Sequence, residues 1–392
     1  MSSDGASGAL SGTTGASIGG AAPVTNGPVQ SAAAARGPLA MEAVELCKDF
    51  RIGRGQVVHA VRGVSLNLYR GGVVALVGES GSGKSTVARM LAGQERLTSG
   101  TVRLDGDLVH LSTRRAFRRY KSEVQLVFQD PFSSLNPVHT VRYHLERPVR
   151  LHQGKASKEE VQQEIKTLLK QVRLTPPDSF IGKFPHELSG GQRQRVSFAR
   201  ALAARPRVLL ADEPVSMLDV SIRLEMLSVL DDLRRRFQLA LLYITHDIAS
   251  ARYFADEVIV LYAGEVVERG PAEELTQHPA HPYTQLLVAS APDPDHLGES
   301  LLRPSRSDGR PAPATAPITA APATTTAATT AATAPTIGCP FSPRCPFADD
   351  KCRNEAPALH QIAADRAAAC WHLDVAAPEL LASRQGGGDF TS

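Results

Sequence analysis

The run Gly78-Glu79-Ser80-Gly81-Ser82-Gly83-Lys84-Ser85-Thr86 has the residue types and spacing needed to bind phosphate. It matches the phosphate-binding loop (P-loop) pattern G-x-x-x-x-G-K-[ST], whose glycines let successive backbone N–H groups point into one concavity. The lysine of this pattern reaches the β- and γ-phosphates of a nucleotide, and the next hydroxyl binds Mg²⁺. We therefore expect a nucleotide and Mg²⁺ to be bound by Gly78, Ser80, Gly81, Gly83, Lys84, Ser85 and Thr86.

The residues on either side of the loop predict the elements that position it. Val73–Val77 is an apolar run typical of a buried strand, and Val87–Ala92 is compatible with a helix. The N-terminus of that helix adds partial positive charge at the same point. This order of elements indicates a nucleotide site rather than a chance glycine-rich turn.

A second anion site is predicted at Leu188-Ser189-Gly190-Gly191-Gln192, at the start of a helix that runs to about Ala204. Ser189, Gly190, Gly191 and Gln192 combine a hydroxyl and two glycines with a helix N-terminus. Both anion sites act on one nucleotide within a monomer only if the fold brings them together. Otherwise one of them contacts a nucleotide that is bound by another chain.

Two adjacent carboxylates follow the apolar run Val208–Ala211. An all-apolar strand is what a parallel sheet covered on both faces needs. We expect Asp212 to hold Mg²⁺ through water and Glu213 to polarise the attacking water. The alternative for two such acids is a surface turn or a helix cap.

Other candidate residues also stand at the ends of predicted strands. Gln129 follows Val124–Phe128, where it can approach Mg²⁺ and the attacking water, and His246 follows Leu239–Ile244, where it can reach a γ-phosphate. A lone histidine is more often structural. Phe50, upstream of the P-loop, can stack on a base or be an ordinary half-buried strand-end aromatic.

The charge balance argues against a nucleic-acid partner. The 43 basic and 40 acidic residues are interspersed, and the formal net charge is +3. The basic run Arg114–Arg119 is predicted to be a solvated helix face. No apolar run approaches the length of a membrane span, and residues 1–40 lack the layout of a signal peptide, so we expect a cytosolic location.

The domain boundaries follow from composition. Residues 1–40 are expected to be a disordered extension, with Met41 as an alternative translational start. Residues 41–290 should form the main α/β domain. Its predicted parts include a small antiparallel β layer (strands 43–46, 57–61 and 64–68) and a helix over 157–172 that opens with a Ser157/Glu160 capping box. Residues 291–338 are expected to be an Ala, Thr and Pro linker, and 339–392 a cysteine-containing segment with a flexible tail.

Four cysteines in the C-terminal segment indicate a bound metal. Cys339, Cys345, Cys352 and Cys370 are separated by five, six and seventeen residues. The segment is too small to form its own core, so a metal would hold it together. Zinc sites usually show a closer cysteine pair, whereas iron–sulfur clusters accept variable spacing, and both remain open here. Cys47 lies outside the set and is predicted to be a buried strand residue.

With these motifs in place, residues 42 to about 290 resemble the nucleotide-binding subunits of ATP-binding-cassette (ABC) transporters. The resemblance is carried, in order, by the P-loop, a Q-loop at Gln129, the signature 188–192, a Walker B strand 208–213, a D-loop Ser216-Met217-Leu218-Asp219 and a switch histidine at His246. It implies a mixed sheet core with an antiparallel β layer and a helical subdomain over about 130–200. It also implies that the signature of one subunit closes on the P-loop of another, and that Phe50 stacks on the base.

Finer features are similar to the oligopeptide, dipeptide and nickel importer branch. They are residues 129–137, Asp212-Glu213-Pro214-Val215-Ser216 and His281-Pro282-Tyr283-Thr284-Gln285. Met217 replaces the alanine that is more usual in the D-loop, while Asp219 is retained. Several ATPases of this branch bind [4Fe–4S] through a C-terminal four-cysteine segment, which favours a cluster over Zn²⁺ for these cysteines.

The resemblance implies an ATPase that drives a membrane importer, with ATP and Mg²⁺ as ligands and peptides as the expected solute. Its partners would be a second ABC ATPase subunit, two transmembrane permease subunits and an extracytoplasmic solute-binding protein. The chain would lie at the cytoplasmic face of the membrane. Nickel or another small solute remains an alternative, as does a soluble cassette ATPase without a membrane partner.

Overall fold

The computed structural model describes residues 37–52, 56–130, 134–153, 156–291 and 337–377. The predictions made for residues 1–36, for the Gly53–Gly55 turn, for most of the linker and for the C-terminal tail lie outside these ranges. Of the extension expected to be disordered, residues 37–40 are described, and the expectation is wrong at its end, because Leu39 begins the first strand and Ala40 is fully buried.

The strands in the described residues form two sheets. Their bounds are β1 Leu39–Ile52, β2 Gln56–Tyr69, β3 Val73–Val77, β4 Ser99–Leu104, β5 Asp107–Leu108, β6 Val124–Val127, β7 Val208–Asp212, β8 Ala240–Thr245, β9 Glu257–Tyr262, β10 Glu265–Pro271, β11 His360–Ala363 and β12 Arg366–Ala368.

The helices cover both faces of the larger sheet. Their bounds are α1 Lys84–Leu91, α2 Arg114–Glu123, α3 Val141–Gln153, α4 Lys158–Gln171, α5 Asp178–Ile181, α6 Gly190–Leu202, α7 Val220–Phe237, α8 Ile248–Phe254, α9 Ala272–Gln277, α10 Pro282–Ala289, α11 Asp350–Asn354 and α12 Leu373–Ala376. Within the described residues, none of these helices combines the length and apolar character that crossing a membrane requires.

The larger sheet has the strand order β11-β12-β10-β9-β3-β8-β7-β6. Its five strands from β9 to β6 are parallel, and β10, β12 and β11 extend it in antiparallel pairs. Side chains of β3 alternate between two cores, with Val73 and Ala75 in one and Val74 and Leu76 in the other. The apolar strands that precede the P-loop and follow Pro206 are therefore buried on both faces, as predicted.

The smaller sheet is antiparallel and has the order β2-β1-β4-β5. The two short strands expected over 57–61 and 64–68 are one strand, β2. Gly63 adopts a φ of 66° at a shift of the β1–β2 register, and its N–H donates to Cys47 Sγ at 3.2 Å. The glycine thus lets the strand bulge and continue. Cys47 lies in β1 as predicted, but it is only partly buried.

Helices α3 to α6 form a helical layer against the parallel strands. The predicted capping box at the start of α4 is present, because Ser157 Oγ accepts from Glu160 N–H and Glu160 Oε2 accepts from Ser157 N–H. The buried face of α4 includes Val161, Ile165 and Leu168. The basic run 114–119 lies on α2, and Tyr120 is the buried residue of that helix.

The cysteine-containing segment continues the sheet of the main domain, which the sequence did not predict. Strand β12 pairs with β10, and Phe341 is 1 % exposed within the same core as β3 and α10. The segment is indeed small, but Phe341 is buried in the core of the main domain and β12 pairs with the edge of its sheet. Residues 337–377 therefore pack on the main domain through a shared sheet and a shared core.

A buried ion pair joins the C-terminal hairpin to β10. Arg366 Nη2 donates to Glu268 Oε1 at 3.0 Å, and the two side chains are 2 % and 0 % exposed. Arg366 also donates to the carbonyl of His278, and Glu268 accepts from the backbone N–H groups of Ala280 and His281. Burial raises the pKa of Glu268.

We predict that Arg366→Met lowers the free energy of unfolding by about 3 kcal/mol, because removing one partner of a buried pair leaves the other uncompensated. Urea unfolding of the full chain, followed by tryptophan fluorescence at Trp371, measures this loss. Arg353→Met is the matched control, since the Arg353 side chain is 59 % exposed and pairs with Asp350 on its own helix. Equal unfolding midpoints for Arg366→Met and the unmodified chain would contradict the prediction.

Candidate functional site

The P-loop lies between β3 and α1, as the sequence predicted. Gly83 precedes α1 with a φ of 101°, and a Cβ there would lie 2.4 Å from the Ala60 carbonyl oxygen, so only glycine fits. Gly81 also has a positive φ, of 82°. Gly78 is buried, whereas Ser80 and Gly81 are exposed at the mouth of the loop, and Thr86 is half-buried on α1.

The Lys84 side chain folds back onto the loop that precedes it. Its Nζ donates to the carbonyl oxygens of Gly78 and Glu79 at 2.7 and 2.8 Å, and the residue is 4 % exposed. Burial lowers the pKa of Lys84, against the opposing effect of the nearby Glu213 and Asp212 carboxylates. The ammonium group is thus held at the loop with its hydration already removed.

Ser85 and Asp212 meet as the predicted Mg²⁺ pair. Ser85 Oγ donates to Asp212 Oδ1 at 2.9 Å, and Asp212 ends β7 with 4 % exposure. Burial is the main cause that raises the pKa of Asp212, and the Ser85 hydrogen bond opposes it. A hydroxyl and a carboxylate are oxygen ligands that suit Mg²⁺, so the donor set fits this ion.

Glu213 is the centre of a polar cluster that joins three strand ends. Its Oε2 accepts from Gln129 Nε2 at 3.0 Å and lies 3.1 Å from His246 Nδ1. Glu213 has a φ of 44°, which turns its side chain away from that of Asp212. The structure therefore brings together Gln129, Glu213 and His246, although they are far apart in the sequence.

The signature segment begins α6, and Ser189 is its N-cap. Ser189 Oγ accepts from Gln192 N–H at 3.2 Å, and Gln192 Oε1 accepts from Ser189 N–H at 3.1 Å. Ser189 is exposed, while Gly190 and Gly191 face Leu218 and Ile222 at the D-loop end of α7. The neighbours described for this segment therefore belong to the D-loop region and not to the P-loop of the same chain.

Two further predicted residues lie at exposed or half-buried positions. Phe50 is on β1 opposite Val58, with Lys48 Nζ 4.7 Å from its ring centroid. Its role in base stacking stays a prediction. Asp219 is the exposed N-cap residue of α7, and the preceding Met217 is 60 % exposed.

The four C-terminal cysteines converge in one half-buried site. Burial raises the pKa of Cys339 to about 11 and that of Cys370 to about 12, and nearby cysteines add to both shifts. Burial also raises the pKa of Cys345 and Cys352. His372 N–H donates to Cys370 Sγ at 3.4 Å, and Cys339 N–H donates to the Cys352 carbonyl at 2.7 Å.

The spacing of the thiols bears on which metal fits. A tetrahedral zinc ion bound at about 2.3 Å would need Sγ atoms about 3.8 Å apart. In the described residues, the one triplet of possible ligand atoms within 4.8 Å of one another is Asp349, Cys352 and His372, so no three of the four thiols are that close. No three of the four thiols therefore lie, in the described residues, at the spacing that one tetrahedral zinc ion requires.

Two contacts to the P-loop were missed by sequence reasoning. Glu79 N–H donates to Tyr283 Oη at 2.8 Å, and Arg344 donates to both Glu79 carboxylate oxygens at 2.9 Å. Tyr283 belongs to the His281–Gln285 motif, which the sequence analysis used only to mark a branch. Arg344 lies between Phe341 and Cys345, and no sequence pattern marked it.

The fold and these clusters define a P-loop ATPase of the cassette type. The comparisons agree: residues 61–216 match the ABC transporter family, and residues 267–352 match the family described as "Oligopeptide/dipeptide transporter, C-terminal region". One similar solved structure is cbiO1 of Clostridium perfringens, part of the ABC transporter complex cbiONQ. Its TM-score is 0.55, and it is 27 % identical over 61 % of this chain and 91 % of its own. The cassette MJ0796, solved as a dimer with ADP and Pi, has a TM-score of 0.54 and 30 % identity over 59 % and 99 %.

Relatives found by sequence indicate the branch of the family to which the chain belongs. The di/tripeptide transport ATP-binding protein DppF of Pseudomonas aeruginosa is 36 % identical over 85 % of this chain and 98 % of its own. The oligopeptide transport ATP-binding protein OppF of Salmonella typhimurium is 37 % identical over 78 % and 85 %. The chain belongs to the ABC transporter family, as an ATP-binding subunit of its oligopeptide/dipeptide branch, which confirms the predicted fold and ATPase class.

Proposed function

We propose that this chain is the ATP-hydrolysing subunit of a membrane importer for small peptides. The observation that carries the proposal is the cluster in which Gln129 and His246 meet the Glu213 carboxylate, next to the Ser85–Asp212 pair and Lys84. The peptide solute is supported by the names of the relatives, which are di/tripeptide and oligopeptide transport proteins.

Each residue of the cluster has a distinct task in this proposal. Lys84 exchanges its two backbone carbonyl partners for phosphate oxygens and so neutralises charge on the nucleotide. Ser85 and Asp212 would hold Mg²⁺, which would supply positive charge to neutralise the phosphates. Glu213 accepts a proton from the attacking water, and His246 and Gln129 fix the orientation of its carboxylate.

A second ABC ATPase subunit would complete the nucleotide site. The exposed Ser189 at the start of α6 presents a helix N-terminus to solvent, and its neighbours within this chain lie in the D-loop region. The D-loop residues Met217 and Asp219, just before α7, are exposed as well. The dimeric structure of MJ0796 supports such an arrangement. The partner is either another copy of this chain or a related subunit.

The permease partners would dock beside Gln129. A groove of about 540 Å³ lies between β6 and α3, lined by residues that include Phe128, Asn136, Tyr143 and Arg147. Val138, near its rim, is 74 % exposed. A partner held there would contact the chain next to the catalytic cluster. We propose that the complex contains two transmembrane permease subunits and that this face of the chain contacts them. The chain would then lie at the cytoplasmic face of the membrane. An extracytoplasmic solute-binding protein would deliver the solute from the other side.

The four C-terminal cysteines would bind a [4Fe–4S] cluster, with Zn²⁺ as the alternative. Two observations support the cluster: in the described residues no three of these thiols lie within 4.8 Å of one another, and Cys370 Sγ accepts from the His372 N–H. The cluster would supply structural cross-linking between the turn at Cys339 and Cys345, helix α11 and the segment after β12.

We predict about four iron atoms and four inorganic sulfides per chain after anaerobic purification, with a broad visible absorption. Cys370→Ser should remove at least half of the iron, because one of the four ligands is lost. Cys47→Ser is the control, since Cys47 lies on β1 outside the set. Iron and sulfide assays decide the outcome, and one zinc per chain without iron would contradict the cluster.

Purification of the tagged full chain from detergent-solubilised membranes of its own host tests the proposed function. We expect two polytopic membrane proteins to co-purify and the complex to hydrolyse ATP. A chain recovered without membrane proteins, with full ATPase activity on its own, would favour a soluble cassette ATPase instead.

A further inference from the structure

The P-loop of this protein is held from outside the nucleotide site. All three polar groups of Glu79, its second residue, are hydrogen-bonded: its N–H donates to Tyr283 Oη, its carbonyl accepts from Lys84 Nζ, and its carboxylate accepts from Arg344. Two of these partners lie C-terminal to the catalytic motifs, on α10 and in the cysteine segment.

The contact between Arg344 and Glu79 is bidentate. Nη1 and Nη2 each donate to a different carboxylate oxygen at 2.9 Å, and the two side chains are 33 % and 28 % exposed. Such a fork-to-fork pair fixes orientation as well as distance. The carboxylate of Glu79 raises the pKa of Arg344.

An aromatic platform positions Arg344 for this contact. Its guanidinium lies 5.6 Å from the Phe341 ring centroid and 6.0 Å from that of Tyr262. The Tyr283 ring packs on both of these rings, at 5.4 and 4.7 Å between centroids, and its hydroxyl is the group that accepts from Glu79 N–H. The same platform therefore holds the backbone and the side chain of Glu79.

The turn that carries Arg344 begins and ends at cysteine ligands. Ser342 N–H donates to the Cys339 carbonyl at 3.0 Å, Arg344 N–H donates to the Phe341 carbonyl at 2.9 Å, and Cys345 follows directly. Anything that holds the Cys339 and Cys345 thiols thus fixes the turn that presents Arg344 to the P-loop.

We infer that Arg344 is a positioning residue for the P-loop, and that its ion pair with Glu79 links nucleotide binding to the order of the cysteine site. The inference rests on the proposed ATPase role and deepens it at the same loop. Arg344 acts through Glu79, whose carbonyl is one of the two that hold Lys84. Coupling between two sites is reciprocal. If an ordered cysteine segment raises the affinity for nucleotide by some factor, a bound nucleotide must favour the ordered form of the segment by the same factor.

Two measurements on the anaerobically purified full chain test this link. One is the dissociation constant of a fluorescent ATP analogue in the presence of Mg²⁺. The other is the rate at which the cysteine thiols react with a coloured disulfide reagent, with and without a non-hydrolysable ATP analogue. We expect the nucleotide to slow the reaction in the unmodified chain.

Arg344→Gln should weaken nucleotide binding by about fivefold and abolish the protection of the thiols by nucleotide. Arg344→Lys keeps the positive charge but not the two parallel hydrogen bonds of the guanidinium. It should therefore lose part of the nucleotide affinity and part of the thiol protection. Glu79→Gln should reproduce the Arg344→Gln values, and the double variant should show no additional loss, because both changes break one pair. Arg353→Gln, an exposed arginine of the same segment, is the matched control and should retain the unmodified values.

Nucleotide affinity and thiol protection that are unchanged in Arg344→Gln would overturn the inference, as would fully additive effects of the two single changes. Global misfolding of Arg344→Gln would be recognised by a lowered thermal midpoint, in which case the Glu79→Gln variant decides the result. An unmodified chain that binds no nucleotide would contradict the proposed function itself, which separates the two failures.

Discussion

Glu213→Gln should lower ATP turnover by about 10²- to 10³-fold while leaving ATP affinity within about twofold. Glutamine has the shape of glutamate, so it can keep one contact of the polar cluster with Gln129 or His246. It cannot accept a proton from water. Lys84, Ser85 and Asp212, which bind the nucleotide in this account, are unchanged.

The measurement is steady-state phosphate release by the purified complex, combined with equilibrium binding of a fluorescent ATP analogue. Glu273→Gln is the matched control, because Glu273 is 59 % exposed and pairs with Arg252 on the surface. Near-normal hydrolysis by Glu213→Gln would remove Glu213 from the role of general base. Loss of nucleotide binding in the same variant would mean that Glu213 has a binding role instead.

Lys84→Met should weaken nucleotide binding by about 10²-fold and abolish measurable turnover. Hydrogen bonds to a charged group contribute about 1.5–3 kcal/mol each, and each 1.4 kcal/mol is a factor of ten, so loss of the phosphate contacts of Nζ accounts for this size. Methionine fills the same 4 % exposed position, which limits the structural disturbance.

Isothermal titration with ATP measures the affinity of this variant. Lys121→Met is its control, since Lys121 Nζ also donates to a backbone carbonyl, that of Ala92, but lies outside the nucleotide site. An affinity for ATP in Lys84→Met equal to that of the unmodified chain would contradict the assignment of the P-loop lysine.

The convergence of the candidate site residues was predictable because the sequence signals for them are local. Each of these residues stands at the end of an apolar strand or at the start of a helix, and the carboxyl ends of parallel strands meet at one edge of a sheet. The separate predictions for Gln129, Glu213 and His246 therefore met in space once the order β3-β8-β7-β6 was formed. The sequence could not give their hydrogen bonds, which depend on the φ of 44° at Glu213.

The C-terminal segment was predicted less well because its contacts are non-local. Its small size and its cysteines indicated a unit held by metal alone, yet β12 completes a pairing with β10, almost a hundred residues earlier. No sequence pattern marked Arg344 or Arg366. Their partners, Glu79 and Glu268, lie in other elements, and no local pattern connects an arginine to a carboxylate at that separation.

In the antiparallel layer, the sequence predicted two strands where the structure has one, β2. The sequence predicted separate strands over 57–61 and 64–68, with Gly63 in the gap between them, and glycine generally weakens a strand. In the structure the same glycine supplies a left-handed φ that allows a bulge, and the partner strand covers both halves of β2. Pairing across the sheet, which sequence alone does not reveal, decided that one strand forms there.

Peptide uptake by living cells tests the central claim most directly. The measurement is the initial rate of uptake of a radiolabelled tripeptide in cells whose only copy of this chain carries Glu213→Gln, compared with the unmodified chain and with Glu273→Gln. The account predicts that Glu213→Gln reduces uptake to the rate of cells that lack the chain, and that Glu273→Gln does not. Uptake at the unmodified rate, from a Glu213→Gln chain shown to have lost ATP hydrolysis, would contradict it.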